Sequence, residues 1–175
     1  MIKKKKAKNP HVGEVYAIRL ENESWAVGQI CHMQENEDES GVYYSLTVAF
    51  WGVNFNNIEE LRTKISVTDL DYPAFVFSVA GNPFRVKKWV LIDDRVISYK
   101  NINIESQITG SWGWFDKTER DINWILEMYF GVYPWDSFAD PLYMDKLLIP
   151  GQKKPRFARP KSMFTKEELM KLGLA

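Results

Sequence analysis

One cysteine, two histidines and ten glycines serve a chain of 175 residues, and each scarcity closes off a class of function. Cys31 has no second cysteine to pair with, so an internal disulfide is excluded and a reducing cytoplasm fits. The glycines are scattered and no Gly-Lys-Ser/Thr triplet occurs, which removes the phosphate-cradling loops. No CxxC, HExxH or calcium-loop spacing is present, so neither a metal nor a cofactor is expected. No apolar run approaches the roughly 20 residues of a membrane helix. The opening MIKKKKAKNP is basic, but no apolar stretch follows it as in a signal peptide, so a cytoplasmic protein is expected. Lys+Arg and Asp+Glu number 23 each, and this balance advertises no nucleic-acid or membrane partner.

What the chain has in quantity is aromatic side chains, 14% of the residues. These favour pleated, half-buried surfaces and are also enriched at interface hot spots. The length suits one domain, read as a flexible basic tail over 1–10 and a single domain over 11–175. In GEVYAIRLENESWAVGQI, residues 13–30, Tyr16, Ile18 and Leu20 share one strand face and Val15 and Ala17 the other. Asn22 and Ser24 mark a turn, a second strand starts at Trp25, and Gly28 inside it signals a bulge or a close backbone approach. QENEDESG (34–41) reads as an acidic hairpin loop before the strongest strand, VYYSLTVAFW (42–51). Connections this short make the three strands an antiparallel meander.

A short helix is expected over 56–64, then a hairpin with strands 74–79 and 84–93 about a turn at 81–83, and a weaker strand over 100–107. Residues 111–115 read as an aromatic loop. Asp121 is the expected N-cap of DINWILEMYF, with Gly131 closing that helix, and Thr165 and Glu168 form a capping box near the C-terminus. Trp25, Tyr44, Leu46, Val48 and Trp89 are the expected core. The fold class is α+β: a curved antiparallel β-sheet or small partly open barrel, with two or three helices mostly C-terminal.

Catalytic equipment is sparse. Cys31 and His32 are strand neighbours that point to opposite faces, so they cannot readily pair, and Cys31 reads as a buried core thiol. His11 lies near the chain start, and no G-x-S-x-G elbow occurs. Asp93-Asp94 and Asp69/Asp71 are carboxylate pairs, for which turn capping is the plainer account. No catalytic residue is expected. Arg85, Lys87 and Trp89 alternate onto one strand face, and Trp112, Trp114 and Phe115 are able to stack bases. Balanced charge argues against that reading, because a basic footprint is the first requirement. No nucleic acid is expected as a partner.

The residues Gly13, Glu14, Val15, Tyr16, Ala17, Ile18, Leu20, Trp25, Gly28 and Gln29 resemble the N-terminal signature of the immunity protein 26 family of bacterial polymorphic toxin systems. Lys87, Lys88, Trp89, Val90 and Ile92 are similar to that family's later hairpin. The matching segments cover about a third of the chain. Arg19 departs from the usual small or Pro residue, and the C-terminal third has no counterpart. The resemblance implies a cytoplasmic, non-enzymatic antidote that binds and neutralises one cognate toxin domain; the alternative is a β-barrel-like binding module for nucleic acid or a small ligand. The signature residues themselves read as scaffold. For toxin binding the expectation falls on Glu35, Glu37, Asp38 and Glu39 beside Tyr43, and on Trp112 and Trp114, since carboxylates rimming aromatic anchors have the layout of an interface. A solvated hairpin tip is the competing account.

Overall fold

Alternating apolar residues that serve both strand faces need cover on both sides, and the chain supplies it. The computed structural model describes residues 10–38, 41–68, 70, 72–79, 89–95 and 117–174, with the side chains of 36, 38, 41–44 and 67 excepted. The turn expected at 81–83, the start of strand 84–93, the strand over 100–107 and the loop over 111–115 lie outside these residues. Five strands form one open antiparallel sheet: β1 (Glu14–Arg19), β2 (Trp25–Asp38), β3 (Gly41–Phe55), β4 (Phe75–Val79) and β5 (Trp89–Asp94), in the order β4-β3-β2-β1-β5. The tight 20–24 turn sets Arg19 opposite Trp25, and the register then runs to Val15 opposite Gln29.

On one face Tyr16, Ile18, Ile30, Val48, Phe50, Phe77 and Trp89 pack with Ile122, Ile125 and Leu126 of helix α2 (Glu119–Tyr129). On the other, Val15, Ala17, Val27, Ala49 and Trp51 pack with Leu61 of α1 (Ile58–Lys64), Ile65 and Leu70. The period-2 reading of residues 15–20 therefore places every one of those side chains on its proper face. Gly28 sits where the β2–β3 register shifts between Ala26 and Gly28. A Cβ there would lie 3.0 Å from the Phe50 ring, so the expected bulge and close approach are one feature.

Three further points correct the expectations. The acidic segment is not a loop, because β2 continues through Asp38 and pairs with β3 down to Gly41. Ladder pairing with 42–45 outweighs the weak β propensity of Glu, Asn and Asp. Helix α2 is capped by Thr118, not Asp121. Asp121 occupies the third helical position and its carboxylate accepts a hydrogen bond from the Thr118 backbone N–H at 3.0 Å, so it is the second half of a capping box. Trp25 is half-buried instead of buried, since it opens β2 at the sheet's end. Leu46, Val48 and Trp89 are buried as expected.

Beyond α2, Gly131 takes φ 70° and the Val132 N–H returns to the Glu127 carbonyl at 2.8 Å, a C-terminal closure that only a left-handed residue makes. Helices α3 (Tyr143–Leu147) and α4 (Lys166–Lys171) follow, α4 opened by the expected Thr165–Glu168 capping box. No helix among the described residues is long and apolar enough to cross a membrane.

Candidate functional site

Among the described residues the β2–β3 hairpin outreaches its neighbours. Its ladder extends from Trp25–Phe55 to Asp38–Gly41, whereas β1 accompanies β2 only to Gln29 and β4 accompanies β3 only from Leu46 to Phe50. Among the described residues the ribbon beyond these points is two strands wide. Glu35 and Glu37 lie on it, both exposed, and two-residue spacing puts them on one face. Glu35 is in register with Tyr44, Asn36 with Tyr43 and Glu37 with Val42. The Asp38 backbone ends β2 and the Tyr43 backbone lies in β3. Glu39, Trp112 and Trp114 lie outside the described residues, so the ribbon brings together part of the expected set.

A second cluster joins residues distant in sequence, which no local pattern reveals. His11 Nε2 lies 2.7 Å from Asp94 Oδ2 and Nδ1 lies 2.9 Å from Glu14 Oε1. Glu14 Oε2 accepts from the Tyr16 hydroxyl at 2.6 Å and from the His11 backbone N–H at 3.1 Å. Gln29 Nε2 donates to the carbonyls of Gly13 and Arg95, both at 2.9 Å. With Glu14 opposite Asp94 in the β1–β5 ladder, these bonds fasten the chain's start to β5. Each imidazole nitrogen thus faces a carboxylate. Burial, aided by Glu14, pushes the Tyr16 phenol well above its ordinary pKa, so Tyr16 is a donor and not a nucleophile. Asp93 lies within β5, not in a turn, and is held by Arg95 at 2.6 Å; Asp69 and Asp71 lie outside the described residues.

Cys31 is buried and donates to the Thr47 carbonyl at 3.2 Å. Burial pushes its thiol up to about 12, which removes the thiolate that chemistry needs. Among the described residues no three His, Cys, Asp or Glu side chains group as metal ligands.

The third feature is an open cleft of about 710 Å³ between the β1–β2 turn and α2. Glu21 from the turn, Glu119, Asp121 and Glu127 from α2, and Trp124 and Tyr133 line it. Glu119, Asn123 and Glu127 recur every fourth residue, so they form one stripe on the helix. Glu127 is 8% exposed and its Oε1 accepts the Glu21 backbone N–H at 3.3 Å. The Thr118 hydroxyl, donating to Asp121, holds that carboxyl below its ordinary range. The Trp124 and Tyr133 rings meet edge to face at 5.3 Å. The four-residue recurrence was the sequence signal for this site; the apolar positions of the same helix overshadowed it.

No family model, characterised protein or solved structure matches the chain.

Proposed function

We propose that this protein is a cytoplasmic immunity protein that binds and neutralises a cognate toxin domain of a bacterial polymorphic toxin system, without enzymatic activity. The resemblance of Gly13–Gln29 to the immunity protein 26 signature motivates the reading. The observation that carries it is the β2–β3 ribbon, which among the described residues extends beyond its neighbours with Glu35 and Glu37 exposed on one face. Exposed carboxylates suit a basic partner surface, because opposite potentials speed encounter and exclude a polyanionic substrate. Gly13, Glu14, Tyr16 and Gln29 fasten β1 within the sheet, in keeping with a scaffold role.

The test looks for a toxin reading frame immediately upstream and co-expresses its toxin domain with this protein. Rescue of growth and co-purification of a stable complex are the expected results. Failure of both, together with retention of RNA on the purified protein, would replace this reading with the nucleic-acid module.

A further inference from the structure

The α2 cleft combines three features that point to one kind of ligand. Among the described residues four carboxylates, Glu21, Glu119, Asp121 and Glu127, line it against one guanidinium, that of exposed Arg120. The half-buried Trp124 offers an indole beside Tyr133, and an indole is the best aromatic acceptor of a cation. The third feature is independent of charge. Asn123, 8% exposed, lines the same cleft; its Nδ2 donates to the Arg19 carbonyl at 3.4 Å while its Oδ1 meets no donor. A buried acceptor without a donor is costly, and such groups recur where a ligand completes the bonding.

We infer that this cleft receives an arginine side chain of a protein partner, the guanidinium stacking on Trp124 and donating to the carboxylates and to Asn123. Several acceptors beside an aromatic face call for a cation that is planar and rich in N–H groups. Guanidinium meets all three demands, whereas a lysine ammonium is a compact, strongly hydrated point charge. The volume admits a whole side chain, and the open mouth suits a group carried on a protein surface. That the partner is the toxin domain rests on the function proposed above; the cleft's preference for arginine does not.

The deciding experiment titrates the full-length protein with N-acetyl-arginine amide. Two-dimensional NMR follows the Trp124 indole N–H and the Asn123 side-chain amide. Saturable shifts at both positions are expected, with N-acetyl-citrulline amide, isosteric but uncharged, at least about tenfold weaker. Glu119→Gln and Trp124→Leu alter residues that are not fully buried, and each should weaken binding about fivefold. Glu119→Gln keeps the test open if the Trp124 variant fails to fold. Absence of saturable shifts, equal binding of citrulline amide, or tighter binding of N-acetyl-lysine amide would overturn the inference. With the toxin domain, Trp124→Leu should raise the dissociation rate about tenfold. An unchanged rate would overturn the assignment of the arginine to the toxin and leave the antidote reading intact. No complex with the unaltered protein would sink the antidote reading, while the amide titration still decides the cleft.

Discussion

Glu14 carries a carboxylate at 2% exposure, and a charge so placed persists only where hydrogen bonds replace its water. The Tyr16 hydroxyl donates to it at 2.6 Å. Tyr16→Phe keeps the ring against Trp89 and removes that donor alone. Stability should fall by about 2 kcal/mol, the range for a hydrogen bond to a charged group. Denaturant unfolding measures it, and a loss below about 0.5 kcal/mol would show that other donors suffice. Cys31 gives the opposite case, a side chain that should do nothing. With its pKa raised to about 12, the folded protein should stay unlabelled by an aromatic disulfide reagent at pH 7 and take up one equivalent once unfolded. Rapid labelling of the native state would contradict its burial.

At the scale of elements, α4 hangs on its first turn. Glu168 accepts the Thr165 backbone N–H at 2.7 Å and Arg159 at 2.9 Å, while Arg159 also donates to the Gly131 carbonyl and lies 3.8 Å from the centre of the Phe164 ring. The Thr165 backbone bond first, then Arg159, lowers the Glu168 carboxyl from 4.5 to about 2. A folded pKa below its ordinary value stabilises above that ordinary value and loses the effect as pH falls through the folded one. Protection of α4 amides should therefore decline between about pH 4.5 and 2, with the Glu168 carboxyl titrating near the lower end by NMR. Glu168→Gln should show at neutral pH the weakened α4 that the unaltered protein shows in acid. A Glu168 midpoint near 4.5 would break the link to Arg159.

This capping box was legible in the sequence because its partners are three residues apart, as was the alternation that sorts residues 15–20 between two faces. Asp121 was seen and misplaced, since an acid three positions into a helix and an acid at its cap look alike until the Thr118 backbone is located. His11 and Asp94, 83 positions apart, leave no local signature at all. The cleft is hidden for the same reason, its carboxylates arriving from a turn and from a helix about a hundred residues later.

Across the whole molecule, β2 separates the two acidic features. Its first residue follows the turn that bears Glu21, and its last, Asp38, closes the far end of the ribbon; 14 residues at about 3.3 Å each set those ends about 40 Å apart. Side chains that far apart and without shared partners act additively. Glu35 and Glu37 are exposed on the ribbon, where charge chiefly governs the approach of a partner. The cleft is partly enclosed, so its contacts chiefly govern departure. Changing Glu35, Glu37, Asp38 and Glu39 to Gln or Asn should slow association with the toxin domain about tenfold at low salt. That effect should fade as the Debye length shrinks to about 8 Å at physiological ionic strength. The cleft variant Trp124→Leu should raise the dissociation rate with little dependence on salt, and the combined variant should show the sum of the two free-energy changes within about 0.5 kcal/mol. Surface-binding kinetics at two salt concentrations checks all three. An association rate indifferent to these four acids would take the ribbon out of the interface and leave the cleft end of the molecule to face the toxin.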